Sequence, residues 1–244
     1  MRSGNPSLNI NVFRDLPAVV GSEVMTVNGT VNKTAILLFL LIVSASWTWS
    51  SIAGRPEAAM GFVIFAGIAA FIVALFTMFK KTVSPISAPI YALLQGVVLG
   101  SLSFVFDRSY PGIVLQAVSL TFGVMFCMLG AYKSGMIKMT DNLKLGVMAA
   151  TGGIGLVYLA SFVLGFFGVS LGVFGSGPIG ILFSLVVVGV AAFNLVLDFD
   201  FIEQGARDEA PKYMEWYAAF GLMVTLIWLY MEILRLLSKL RDRR

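Results

Sequence analysis

The residues best suited to chemistry lie close together, near the end of one long apolar segment. Asn194 and Asp198 are four residues apart, so on a helix they share a face, whereas Asp200 lies about 200° around the helix from Asp198. Asp200 and Glu203 are three residues apart and could form a second acidic edge. A helix C-terminus disfavours each anion by about 0.3–1 kcal/mol, so something other than helix capping must hold these acids.

This acidic cluster has two interpretations. In the first, it attracts cations or takes up protons at one mouth of a pathway through a membrane. Because burial favours the neutral form of a carboxylate, a proton could then switch the charge of Asp198. In the second, it is an interfacial cluster whose charge is balanced by Arg207 and Lys212.

The last apolar segment holds further polar residues. Glu215 lies at its start and Glu232 near its end, three residues before Arg235, a spacing that favours a local Glu–Arg pair over a pathway role for Glu232. Thr225 and Glu232 are seven residues apart and share a helix face. Gln95, in the third apolar segment, is an uncharged polar group that interhelical hydrogen bonding would explain.

Histidine, the residue on which many hydrolases and metalloenzymes depend, is missing. The chain has no histidine, which removes the usual general base, the commonest metal ligand and every Ser-His or Cys-His pair. The one cysteine, Cys127, lies in an apolar run and needs no role beyond packing. We therefore expect neither an enzyme nor a resident cofactor or metal centre.

The composition indicates a membrane protein. Of the 244 residues, 58% are hydrophobic and only 12% are charged, against about 45–50% and about 25% in a typical soluble domain. The mean hydropathy is +0.90. The formal net charge is only +4, which on such a chain sets membrane topology rather than binding nucleic acid.

Seven apolar runs are long enough to cross a bilayer, which takes roughly 20 helical residues. The predicted spans are Thr34–Ala53, Ala58–Phe79, Ile86–Phe106, Ile113–Tyr132, Leu145–Gly168, Ile179–Ile202 and Trp216–Leu237. Lipid leaves each backbone polar group to be satisfied within its own segment, so the spans must be helices. The fold class is therefore all-α, a polytopic protein of seven transmembrane helices.

Small residues indicate where helices approach each other closely. Gly96 and Gly100 form a GxxxG step in the third span, and Gly152, Gly153 and Gly155 lie in the fifth. Residues without bulky side chains let helix backbones come together. We expect helix contacts at both places, with a glycine hinge for gating as the alternative.

The Lys and Arg residues predict the orientation. The N-terminal tail and alternate loops hold most of them, Lys144 included, whereas the loops on the other side hold Arg55 and Arg108, which places the N-terminus in the cytosol. We expect a polar tail at 1–33, a seven-helix domain at 34–238 and a basic tail at 239–244, in the inner (plasma) membrane. The basic C-terminal end would then lie outside, unless the sixth or seventh span is re-entrant.

In its last two spans above all, the sequence resembles the transmembrane Bax inhibitor motif family, in its bacterial YccA-like branch. The segment Leu197–Ile202 is similar to the family pattern apolar–Tyr–Asp–x–x–x–Ile, with Asp198 on the family aspartate. The segment Thr225–Arg235 is similar to the pattern Asp-Phe-Ile-Asn-Leu-Phe-Leu-x-Leu-Leu-Arg of the seventh span. The likeness covers roughly residues 34–240.

The resemblance implies a seven-helix bundle with a central last helix and a pH-sensitive leak channel for calcium. In such relatives an aspartate pair in the last two spans is the sensor. The second aspartate falls here on Thr225, which cannot ionise, and a glutamate of the third span falls on Gln95. If this protein senses pH, Asp198 must therefore act with Asp200, Glu203 or Glu215, or take no part in the sensing.

The resemblance also implies an alternative. YccA-like relatives suggest a non-conducting regulatory protein that binds a membrane protease or another partner. The polar N-terminal tail favours it, because a channel does not require such a tail. The partners expected from the sequence are thus the bilayer, calcium or another cation, and, in the alternative, a membrane protease.

Overall fold

The part of the protein that the structure describes is built from seven long α-helices. The structure, a computed structural model, describes residues 24–168 and 172–243, and the described residues contain no strand. The helices are α1 (Val27–Ala53), α2 (Ala59–Phe79), α3 (Ser84–Ser109), α4 (Ile113–Lys133), α5 (Asp141–Phe166), α6 (Pro178–Arg207) and α7 (Met214–Asp242). Short 3-10 turns at Pro56–Ala58 and Lys81–Val83 precede α2 and α3, and a third lies at Gly172–Phe174.

All seven predicted spans are confirmed as helices long and apolar enough to cross a membrane. Their ends differ from the prediction, most of all in α1, which begins at Val27 instead of Thr34. Much of the predicted N-terminal tail, Arg2 and Arg14 included, lies outside the described residues. The last two helices have 30 and 29 residues without a break, which at about 1.5 Å per residue is enough for a full crossing and disfavours a re-entrant segment.

The described residues divide into two compact units. The N-terminal unit takes its residues from Ile10–Pro111 and Phe201–Val224, and the C-terminal unit takes its residues from Gly112–Asp200 and Thr225–Arg244. Both α6 and α7 therefore contribute to both units. Within the N-terminal unit, α1 and α2 each pack against α3.

The GxxxG step of α3 lies where the prediction placed a close helix contact. A Cβ atom on Gly96 would stand 2.4 Å from the carbonyl oxygen of Leu41, and one on Gly100 would stand 2.4 Å from that of Ala45. Only glycine allows the backbones of α1 and α3 to come so near. The same expectation is wrong for α5, because a Cβ atom on any of its three clustered glycines at 152, 153 and 155 would meet nothing within 4 Å.

Burial separates the last helix from the others. In α7, 61% of the apolar stretch is buried, against at most 39% in any other span. Helices such as α2 and α5 instead expose large apolar side chains, among them Phe65, Phe79 and Phe162. Such surfaces suit lipid and not water, as expected of membrane helices whose outer faces meet hydrocarbon chains.

Candidate functional site

Asp198 lies in the most deeply buried part of α6. Its residue surface is 1% exposed, and its neighbours Asn194, Leu195, Val196 and Phe199 are buried as well. This stretch of the helix is thus surrounded by protein on all sides, the pattern of a central helix and not of a lipid-facing one.

The carboxylate of Asp198 has little to compensate its burial. Neither of its oxygens has a hydrogen bond of regular geometry within the described residues. Among the described residues, Thr225, on α7 in the same unit, is the one whose side-chain hydroxyl acts on this carboxylate as a hydrogen-bond donor. Burying an ionised carboxylate without partners is costly, so this position favours either the protonated acid or a bound cation.

Asn194 shares the face of Asp198, as predicted, but its amide is already engaged. Its Nδ2 donates to Thr151 Oγ1 at 2.8 Å and to the carbonyl oxygen of Val190 at 2.9 Å. The bond to Thr151 ties α6 to α5 one turn before Asp198, and the bond to Val190 lies within α6. Asn194 therefore positions the helix at this level and does not offer its amide hydrogens to the carboxylate.

Asp200 points to a different partner, in agreement with its predicted place around the helix. The Lys144 Nζ lies 2.5 Å from Asp200 Oδ2, and the Tyr132 hydroxyl lies 3.5 Å from Oδ1. Lys144 was predicted to be a loop residue; it is instead buried in the first turn of α5, which begins after the capping residue Thr140. The capping residue Thr140, followed three residues later by the start of the apolar run, is the only sequence signal for this earlier helix start.

Glu232 forms the centre of a buried polar cluster in the C-terminal unit. The Tyr158 hydroxyl donates to Glu232 Oε1 at 2.6 Å, and Arg235 NH1 donates to the same oxygen at 2.9 Å. The predicted Glu232–Arg235 pair is therefore present. The other oxygen, Oε2, has no hydrogen-bond partner within the described part of the chain.

Lys239 does not lie in the basic tail predicted for residues 239–244. It lies inside α7 and is only 4% exposed. Its Nζ donates to Ser184 Oγ at 2.8 Å and to the carbonyl oxygens of Gly180 at 3.0 Å and Val173 at 3.2 Å. The sequence held one sign that Lys239 belongs to the helix: it lies seven residues after Glu232, a spacing that places both side chains on one helix face.

The other predicted site residues belong to the N-terminal unit. Glu215 is 0% exposed and binds the start of α1: its Oε1 accepts from the backbone N–H and the hydroxyl of Thr26, both at 2.9 Å. Its Oε2 pairs with Lys33, and Lys212 lies 3.5 Å from Oε1. A Cβ atom on Gly29 would stand 2.0 Å from Oε1, so glycine there makes room for the carboxylate.

Glu203 and Gln95 make contacts within their own helices. Glu203 Oε1 lies 2.6 Å from Arg207 NH2, one turn later on α6, as the interfacial interpretation predicted for that pair. Gln95 Nε2 donates to the Tyr91 hydroxyl at 3.0 Å, one turn earlier on α3. The interhelical bond expected for Gln95 is therefore replaced by an intrahelical one.

The C-terminal unit thus brings together Asp198, Asn194, Thr225, Asp200 and Glu232 of the predicted residues, at several levels along α6 and α7. No group of three or more acidic, cysteine or histidine side chains within residues 24–168 and 172–243 is arranged to hold a metal ion. The arrangement is a series of polar groups at different levels along α6 and α7, some of them with partners from other helices. Such a series can pass an ion or a proton, whereas a tight divalent site needs several converging oxygens.

A comparison with protein families gives one match. A family model described as Bax inhibitor 1 like matches residues 5–242, nearly the whole chain. No curated protein and no solved structure matches.

Proposed function

The chain belongs to the Bax inhibitor 1 like family of membrane proteins, and from that premise we propose that it is a pH-sensitive leak channel for cations, with calcium as the first ion to test. The observation that carries the proposal is the carboxylate of Asp198. It is buried in α6, and neither oxygen has a regular hydrogen bond within the described residues.

The proposed mechanism uses the charge of this carboxylate. When ionised, Asp198 lacks other compensation for its charge, so it attracts a cation to a position beside Thr225. Protonation removes the charge, releases the cation and lets α6 and α7 rearrange. Moving a two-state switch from 1:99 to 99:1 takes about 5.5 kcal/mol, so one carboxylate gives a graded response.

The test is calcium flux into liposomes that contain the purified protein. Asp198→Asn keeps the shape of the side chain and removes its charge, and we expect it to change the flux severalfold. Glu203→Gln is the matched control, because Glu203 is a half-exposed acid of the same helix that pairs with Arg207. Flux equal to wild type in Asp198→Asn, or no flux above protein-free liposomes in wild type, would contradict the proposal.

A second candidate is the non-conducting regulator that binds a membrane protease or another partner. It is favoured by the way the base of the N-terminal segment is fixed: the Met25 N–H donates to the Ala210 carbonyl at 2.7 Å, next to the Thr26–Glu215 contact. Deleting residues 1–23 leaves these contacts intact. A regulator should then lose its partner, whereas a channel should keep its flux.

The cytosolic N-terminus and the inner membrane are part of the same proposal. Reporter fusions to each end, active only in the cytosol, test the orientation directly. With seven crossings, we expect the N-terminal fusion to be active and the C-terminal fusion to be inactive.

A further inference from the structure

Lys239 is buried in a way that a charged residue rarely is. Described acids such as Glu215, Asp200, Glu203 and Glu232 pair with basic side chains, but the polar contacts of the Lys239 ammonium within the described residues are three neutral oxygens. Removing a cation from water without an adjacent anion costs several kcal/mol unless other groups replace its hydration shell. The three oxygens match the three N–H donors of an ammonium group.

These oxygens have the chemistry of a site for a small cation. Two are backbone carbonyls and one is a hydroxyl, and they lie 2.8–3.2 Å from Nζ. Carbonyl and hydroxyl oxygens replace the hydration shell of hard cations in binding sites and selectivity filters. We call the carbonyl oxygens of Val173 and Gly180 together with Ser184 Oγ the oxygen cradle.

Close packing holds the oxygen cradle in place. A Cβ atom on Gly180 would stand 1.9 Å from the carbonyl oxygen of Gly175, so the loop that ends at Gly177 lies directly against the start of α6. The Ser176 hydroxyl donates to Asp242 Oδ2 at 3.0 Å, which binds the same loop to the end of α7. The oxygens of the cradle therefore come from two segments, the loop and α6, and a third segment, α7, holds the loop in place within the same compact unit.

The oxygen cradle lies at the same pair of helices as Asp198 but far along them. Ser184 is fourteen residues before Asp198 on α6, and Lys239 is fourteen residues after Thr225 on α7. At 1.5 Å per residue, each separation is roughly 21 Å. Glu232 lies between, about 10 Å along α7 from Lys239.

We propose that the oxygen cradle is a binding site for a monovalent cation and that the Lys239 ammonium is its tethered occupant. In the proposed channel, the positive charge of Lys239 keeps permeant cations away from the end of the C-terminal unit where the oxygen cradle lies. Only this consequence rests on the proposed function. The binding site itself does not depend on conduction.

Lys239→Met tests the site, because methionine has about the length of the lysine side chain up to Cε, with sulfur in place of Cδ, and lacks the ammonium. The purified variant is unfolded by heat in choline, potassium or ammonium chloride at equal ionic strength. We expect potassium and ammonium to raise its Tm over choline by about 3 °C, in a saturable manner. Wild type and Lys138→Met, a variant of an exposed lysine, should show no such difference.

Several results decide the inference. A double variant with Ser184→Ala should need more potassium for the same effect, because one oxygen of the cradle is gone. A Lys239→Met protein that folds in potassium but not in choline supports the site. A protein that fails in every salt, or a Tm that does not depend on the cation, overturns it.

Flux separates this inference from the proposed function. If the protein is a channel, Lys239→Met should take up rubidium into liposomes severalfold faster than wild type. If no variant conducts but potassium still stabilises Lys239→Met, the cation site stands and the channel proposal fails.

Discussion

Two buried carboxylates, one in each unit, have opposite surroundings. Glu215 in the N-terminal unit is 0% exposed and receives hydrogen bonds from Thr26 as well as the charge of Lys33. Asp198 in the C-terminal unit is as deeply buried, but Thr225 is its one polar contact and neither oxygen has a regular hydrogen bond within the described residues. Burial therefore does not by itself identify the acid that a mechanism uses.

The difference has a physical explanation. Several donors and a cation compensate the lost hydration of Glu215, so its ionised form stabilises the fold and fixes the start of α1. Asp198 has no such compensation, and its charge must be neutralised by a proton or a cation. The first arrangement is typical of a structural anchor and the second of a site that responds to its surroundings.

Glu215→Gln should give the largest loss of stability. It keeps the shape but leaves Lys33 without its buried partner, and breaking a buried ion pair costs about 3–5 kcal/mol. Equilibrium unfolding in mixed detergent micelles measures the free energy of unfolding of each variant. Glu203→Gln is the control, because the half-exposed Glu203–Arg207 pair should contribute less than about 1 kcal/mol. Equal losses in the two variants would contradict the distinction.

Glu232 is an intermediate case, and Tyr158→Phe should have an intermediate effect. The change removes the hydroxyl that lies 2.6 Å from Glu232 Oε1 and leaves Arg235 as the donor to that oxygen. Loss of a hydrogen bond to a charged group costs about 1.5–3 kcal/mol. The same unfolding assay measures it, with Tyr132→Phe as the comparison, since the Tyr132 hydroxyl lies 3.5 Å from Asp200 and should contribute less.

Asp198→Asn should have the smallest effect on stability, a change within about 1 kcal/mol, although the residue is 1% exposed. The amide removes a charge that pairs with no cation among the described residues, and a buried carboxylate with so little compensation contributes little favourable energy. A loss as large as that of Glu215→Gln would show that Asp198 is a structural anchor after all.

The seven spans could be predicted because each is an apolar run of about 20 residues, and lipid permits only helices. The residue at which α1 begins could not be predicted from the sequence. Residues such as Asn32 and Lys33 are polar, but the cap at Thr26 and the distant Glu215 extend the helix to Val27. Contacts between positions far apart in the chain decide such ends, and a local pattern does not contain them.

The candidate site likewise contains some contacts that could be predicted from the sequence and some that could not. The Glu232–Arg235 pair was predictable because a spacing of three residues places both on one helix face. Lys144 and Lys239 were misplaced because counting basic residues at span ends assumes that they lie in water. Their partners, Asp200 and the oxygen cradle, come from other segments of the chain, and only the fold brings them together.

The most direct test of the account is the pH dependence of calcium uptake into liposomes, measured side by side for wild type and Asp198→Asn. If protonation of Asp198 releases the cation and the helices, wild-type uptake should rise as the pH falls, and uptake by Asp198→Asn should be the same at every pH. A variant that keeps the full wild-type pH profile would contradict the central claim.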